Sequence, residues 1–243
     1  WAVQKPDTPW RFLIASGLLF GVGLWGVVNL GISAGVSAGL ASLVLQFSAF
    51  FTILLGSIVF REVISKYQYA GIVIALLGLL SIIPIRDGTV TIVGIGCVIF
   101  GALSWSVSNI IIKKTGTKDV LAFLVWSSLF SPLPLFAISY AMHGSVGYAT
   151  LLAQMDLSAI FSILFQAYPT TLVGYWIWNS LLKKYPVSTV APLSLLVPIF
   201  GMLGSFLIFH ETLSMLKLMA ILLIVSGLTV GLYGARLSAR FLK

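Results

Sequence analysis

The sequence predicts an all-α polytopic membrane protein, on three observations. Of its 243 residues 59% are hydrophobic and only 8% are charged, against roughly 25% charged in soluble domains, too few ions to clothe a water-soluble surface of this size. Eight stretches carry no charged side chain, at about 12–32, 38–60, 67–85, 88–112, 120–142, 157–182, 187–209 and 218–235. Most approach the ~20 residues that cross a ~30 Å hydrocarbon core as a helix. Lipid offers the backbone no hydrogen-bond partner, so such runs must be helices; barrel strands would be about half as long and would alternate in polarity. The third observation is an internal duplication: Ser37–Glu62 returns in altered form as Pro186–Glu211, a shift of 149 residues without a gap. Phe51, Leu54, Phe60 and Glu62 recur as Phe200, Leu203, Phe209 and Glu211, and the register continues from Ser65, Ile72, Gly78 and Leu79 to Ser214, Ile221, Gly227 and Leu228.

Charge placement gives an orientation. If the segment entering at Arg11 starts in the cytoplasm, then Lys5, Arg11, Arg61, Lys66, Lys113, Lys114, Lys118, Lys183, Lys184, Arg236, Arg240 and Lys243 are cytoplasmic, and only Arg86 and Lys217 lie outside. The positive-inside rule reads such an asymmetry as topology, with both ends of the chain in the cytoplasm. The net charge of +8 is spread over the joints between runs rather than gathered into a patch with aromatics, which argues against nucleic acid as a partner. The two copies start on the second and seventh runs, five helices apart, so they cross the bilayer in opposite directions. Inverted repeats are a construction of secondary transporters, with the substrate near the midplane. The second copy holds five helices and the first only three, which predicts eight visible helices of an expected ten, with two preceding residue 1. Residues 1–86 then form the last three helices of a first repeat and 87–243 the five helices of a second.

Taken in order, the runs offer these candidates. The opening WAVQKPDTPWR reads as a loop and shows no secretory signal. In the first run Trp25 and Asn29, four apart, share one helical face. Gln46 sits near the middle of the second run; its amide can donate to a carboxylate and accept from an ammonium, or can supply an interhelical hydrogen bond. The fourth run holds the single cysteine, Cys97, which excludes an intrachain disulfide and suits packing. There Trp105 and Asn109 share a face beside Ser104 and Ser108, readable as a cavity wall or as a close-packed stripe. Tyr175, Trp176, Trp178 and Asn179 crowd the end of the sixth run near Lys183 and Lys184. An interfacial aromatic belt accounts for Trp178 better than for Tyr175, a turn deeper. Pro192 and Pro198 flank Ser194 in the seventh run; each proline removes a backbone donor, and interrupted helices commonly face a substrate path. Gly227-x-x-x-Gly231 in the eighth run is a helix-packing motif. Glu62 and Glu211 read as structural, each at a joint before the next helix, where a carboxylate favours the positive end of the dipole. His210 reads as an interfacial side chain.

The motifs AGLASLVLQ at Ala38–Gln46, FFTILLG at Phe50–Gly56, SWSVSNIIIKK at Ser104–Lys114, LVGYWIWNSLL at Leu172–Leu182 and VAPLSLLVPIFG at Val190–Gly201 resemble the drug/metabolite transporter superfamily in its EamA branch. Within it the chain is most similar to bacterial exporters of cysteine and O-acetylserine. The resemblance implies ten helices in two inverted five-helix repeats and export of small metabolites from the cytoplasm. One departure stands out: Ala49 is the repeat mate of Pro198, where the family often carries proline in both halves, so the first-half helix is expected to be less kinked.

The sequence carries no HExxH, no P-loop and no plausible Cys/His metal set, so the expectation is no enzyme, no metal and no cofactor. No Asp, Glu, Lys or Arg sits deep within any run, which disfavours proton coupling through these helices. The expected function is inner-membrane export, by alternating access, of a small amino-acid-type metabolite, with the bilayer as the other partner. Gln46, Trp105, Asn109, Tyr175 and Ser194, with Trp25 and Asn29, are the expected lining. The rivals are another neutral or zwitterionic substrate or drug, and a membrane subunit that transports nothing. Oligomeric state is open at this stage.

Overall fold

The computed structural model describes residues 3–36, 41–42, 44–81, 91–153, 155–197, 200, 215, 218–219, 222–223, 225–227, 229–231 and 233–234. Regular structure among the described residues is wholly helical. Four helices are long and apolar enough to cross a membrane: α1 (Trp10–Ser33), α4 (Ile92–Thr115), α5 (Val120–Ser145) and α6 (Leu157–Lys184). Between them lie α2 (Phe47–Phe60) and α3 (Lys66–Leu80), and α6 is followed by α7, which begins as Val187–Val190 and tightens to a 3-10 helix over Ala191–Leu196. Pro198, His210 and Glu211 lie outside the described residues.

Polar side chains at the joints set the helix starts. Thr91 accepts from the Gly94 N–H at the start of α4 and donates to the Ala34 carbonyl, tying α4 to the end of α1. Asp119 accepts from Ala122 N–H and Asp156 from Ala159 N–H, each satisfying a donor that the first turn leaves free. At α3, Ser65 and Gln68 bond reciprocally, each side chain accepting from the other's N–H, the capping-box arrangement. α4 ends at Gly116, whose φ of 60° is left-handed, a conformation that glycine adopts without strain.

α4 is the centre of the packing. α1 runs antiparallel to it and α2 parallel, as the pairs Ser16–Ser108, Ser106–Ser48 and Asn109–Thr52 require. Without a hydrophobic drive between helices in lipid, small residues let backbones approach. Gly23 faces Ser104, Gly31 meets the Gly94 backbone, and Gly17 lies on the Ser127 carbonyl of α5. α2 and α7 cross antiparallel, with Gly56 against Val187 at one end and Ala49 and Ile53 near Pro192 further along. Gly71 of α3 meets the backbone of Gly227 and Gly231, so the glycine pair read as a packing motif is used as one.

Two helices widen. Leu18–Gly26 of α1 and Gln166–Gly174 of α6 are π-helical, the second around Pro169. Shifted by 149 residues, the first segment falls on 167–175, one residue from the second. The chain before α2 is also interrupted: Ser48 and Ala49 N–H bond to Leu45 and Gln46 carbonyls in tight i→i+3 turns, and the same shift carries this break into the 3-10 stretch Ala191–Leu196. The first-half helix was expected to be less kinked than its mate at Pro198, which lies outside the described residues; tight turns nevertheless interrupt it at Gln46 without any proline.

Gly17→Ala should destabilise the protein by roughly the 1–3 kcal/mol of an overpacked contact, read as a lower melting temperature in detergent, because its added Cβ has only the Ser127 carbonyl to occupy. Gly96→Ala, where a Cβ meets nothing within 4 Å, should leave it unchanged.

Candidate functional site

A cleft opens where α1, α4, α5 and α6 meet. Its walls include Ser16 and Phe20 from α1, Trp105, Ser108 and Asn109 from α4, Ser127 and Ser131 from α5, and Thr171, Tyr175 and Asn179 from α6. Among the described residues no Asp, Glu, Lys, Arg or His lines it, so hydroxyls, amides and rings carry its chemistry. Ser16 and Ser108 hydroxyls meet at 3.1 Å. Ser131 donates to the Gly17 carbonyl, and Ser127 to Leu124 of its own helix. On one side the rings form a wall: Phe20 meets Tyr175 edge-on at 4.5 Å between centroids, and Trp105 contacts Tyr175 and Trp178 at 6.4 and 6.1 Å.

Of the seven residues singled out in the sequence, three line this cleft: Trp105, Asn109 and Tyr175. Asn109 is a bridge. Its amide donates towards Thr52 of α2 at 3.4 Å and accepts from the Trp178 indole at 3.0 Å. Trp178 thus points inward, whereas Trp176 is exposed; the aromatic belt takes the latter. The other four lie elsewhere. Gln46 is buried at the break before α2, donating to the Ser42 carbonyl while its own carbonyl oxygen has no partner among the described residues. Ser194 is buried and bonds back to Ala191. Trp25 packs against the apolar cluster that contains Trp105. Asn29 is exposed and donates to the Trp25 carbonyl one turn back. Ser16, Ser127, Ser131 and Thr171 were not singled out in the sequence. The available signal was the spacing of Ser127 and Ser131, which are four apart on one face of α5.

One turn beyond Asn109 along α4, about 6 Å at 1.5 Å per residue, sits an ion pair between Lys113 and Glu62. Lys113 Nζ donates to Glu62 at 2.9 Å and to the Tyr185 carbonyl at 2.8 Å. The Glu62 carboxylate also accepts from the Val187 and Ser188 N–H groups at 3.0 and 3.1 Å. Those are free donors of α7's first turn, which Pro186 precedes with no side-chain cap. Glu62 therefore caps α7, not the helix that follows it in sequence. The reason is local: Ser65 and Gln68 already cap α3, and Arg61, in the left-handed region at φ 54°, ends α2 and turns the chain. Partial burial pushes the Glu62 carboxyl up, but the Val187 N–H, Lys113 and the Ser188 N–H together outweigh it and hold the group below its ordinary value of 4.5. The described lysines and arginines all lie at this end of the bundle, where α1, α3, α5 and α7 begin and α2, α4 and α6 end.

As it stands the cleft is tight. The space it leaves to water-sized molecules is about 20 Å³, roughly room for one water. Anything larger needs the walls to part.

Comparison with known proteins adds to this geometry. The family model described as "EamA-like transporter family" matches residues 1–83 and 92–233. A protein of Escherichia coli (strain K12) named "Probable amino-acid metabolite efflux pump" is 36% identical over 240 residues, spanning 96% of this chain and 80% of that protein. Its namesake in Salmonella typhimurium (strain LT2) matches at the same identity and coverage. "Uncharacterized transporter YoaV" of Bacillus subtilis (strain 168) is 23% identical over 93% of this chain and 76% of that protein. A crystal structure superposes with a TM-score of 0.73 over 98% of this chain and 79% of the other at 17% identity, which is a likeness of fold.

Glu62→Ala strips the cap and the ion pair together and should cost about 2–4 kcal/mol, the scale of charge-assisted hydrogen bonds left unmade. Because the folded carboxyl titrates below 4.5, its stabilisation is full at neutral pH and is lost only as the pH falls through that lowered value. Melting curves should accordingly show the wild type and Glu62→Ala converging in acid, with their gap constant from about pH 5 to 8.

Proposed function

The chain belongs to the EamA-like transporter family, and from that premise we propose that it is a multi-pass inner-membrane exporter of small amino-acid-type metabolites, cysteine- or O-acetylserine-like, working by alternating access. The observation that carries the substrate class is the cleft itself: hydroxyls, amides and an aromatic wall with no ionised side chain. Binding a net anion or cation there would leave its charge uncompensated away from water, at high cost. A zwitterion brings both charges and can spread them over neutral dipoles. The efflux pumps at 36% identity over nearly the whole chain support the same class and an outward direction.

We read the architecture as two inverted repeats, residues 1–86 and 87–243, with eight spans of a ten-helix plan. Three features support this. The duplicated helices α2 and α7 cross antiparallel. The wide segments of α1 and α6 fall at matching positions of the 149-residue shift. The interruptions at Gln46 and at Ala191–Leu196 do the same. We place the basic end in the cytoplasm on the positive-inside rule. Glu62, from the first repeat, then clasps α4 and α7 of the second at the cytoplasmic end, one turn from the cleft. Release of that clasp lets the repeats part and admits substrate; its closure commits substrate to the outer side. In this scheme Trp105 and Tyr175 contact substrate directly. Gln46 and Ser194, at the matched interruptions, flex with the rocking helices, and Trp25 and Asn29 lie towards the outer exit.

Counterflow of labelled L-cysteine and O-acetyl-L-serine into liposomes holding the purified protein tests the proposal. The wild type should accumulate label only when preloaded with unlabelled substrate. Trp105→Ala should reduce the initial rate at least tenfold at equal membrane abundance. Wild-type liposomes indistinguishable from empty ones would overturn the export reading. Uptake of another neutral metabolite with neither amino acid carried would move the substrate class.

A further inference from the structure

Two polar groups of the cleft make no hydrogen bond to any described residue. Asn109 spends both ends of its amide between Thr52 and Trp178, the α5 serines donate to backbone carbonyls, and Ser16 and Ser108 hold each other. Asn179, only 7% exposed, lines the same cleft with its amide bonded to no described residue, and so does the Tyr175 hydroxyl. The two are four apart in α6 and so share a face, one turn from each other. An amide that faces the cleft without a bond to a described residue can take up a polar ligand group without breaking a bond to one.

Resting on the export reading, we infer that Asn179 is the specificity-determining contact for the α-amino-acid group of the substrate. A primary amide is suited to that group and to few others: its carbonyl oxygen accepts from the ammonium while its NH₂ donates to the carboxylate. No other described amide lining this cleft is unspent. The placement also orients the ligand. Asn179 lies on the side of Tyr175 nearer the basic end, and Tyr175 belongs to the ring wall with Phe20 and Trp105. The charged head of the substrate therefore points to the basic end and its side chain rests on the rings. A site built on hydrogen bonds rejects analogues that lack the partner far more strongly than an apolar pocket rejects a missing methylene.

The test compares L-cysteine with cysteamine, which keeps the side chain and the amine but lacks the carboxylate, under reducing conditions in the same liposomes. The wild type should prefer cysteine. Asn179→Leu should lower cysteine transport at least tenfold and leave the melting temperature near that of the wild type. Asn179→Asp, nearly isosteric and therefore informative even if the leucine variant folds poorly, should lower the cysteine-to-cysteamine ratio at least tenfold, because a carboxylate attracts the ammonium and repels the substrate carboxylate. A wild-type ratio in folded Asn179→Asp overturns the inference while the export reading stands. A wild type that carries neither compound removes the premise, and the inference with it.

Discussion

The rest of the molecule depends on where one carboxylate finds its partners. A helix that starts at a proline exposes N–H donors with no side chain of its own to satisfy them, and α7 is such a helix. The donors take Glu62, 125 residues earlier in the chain, and the carboxylate brings Lys113 with it. Ends of α2, α4 and α7 are thereby fixed to one another at a single point, which is only about 15% exposed. Ion pairs in such partial burial are screened less than surface pairs, and this one carries backbone hydrogen bonds as well. To the hydrogen bonds that already link α2 and α4, the junction adds a charged interaction that lipid cannot supply and that takes in α7 as well.

That junction explains the state of the cleft. Of the helices that wall it, α4 is held one turn away by Lys113, which also binds the Tyr185 carbonyl just past the end of α6, and α1 is drawn onto α4 and α5 by glycines that let Ser104, Ser127 and Ser131 approach its backbone. With both constraints in force, little more than one water fits. The π-helical stretches of α1 and α6 lie beside the same space and loosen the regular ladder of both helices there, a feature found often at functional sites. A bundle that is rigid at its basic end and irregular along its cleft is suited to opening one end at a time.

Composition together with the length of the uncharged runs made the helical membrane fold legible, because a chain with 8% charged residues must satisfy its backbone within lipid and runs of this length do so as helices. The site was legible in part. Trp105 and Asn109 were found by their spacing on one face, and Tyr175 by its depth. Asn179 was noted beside Tyr175 and Trp178 but not placed in the expected lining, because nothing in its spacing told which neighbours it would face. Gln46 and Ser194 stood out as polar residues in apolar runs, yet spacing does not tell which neighbour a polar side chain will face, and both bond to their own backbone. Glu62 was recognised as structural, but its nearest helix in sequence was the wrong one; the Ser65–Gln68 box had already taken that end. Long-range choices of this kind are settled by packing.

The central claim is that transport requires α2 and α7 to separate at the basic end. Gly56 and Val187 offer the direct test, because a Cβ added at Gly56 stands 3.0 Å from the Val187 Cβ, near the roughly 3.5–4.5 Å of a disulfide. In a Cys97→Ser background, which removes the single native thiol, Gly56→Cys combined with Val187→Cys should cross-link on mild oxidation. Counterflow should stop when the pair is oxidised and return when it is reduced. Undiminished transport by protein that is fully cross-linked would contradict the account.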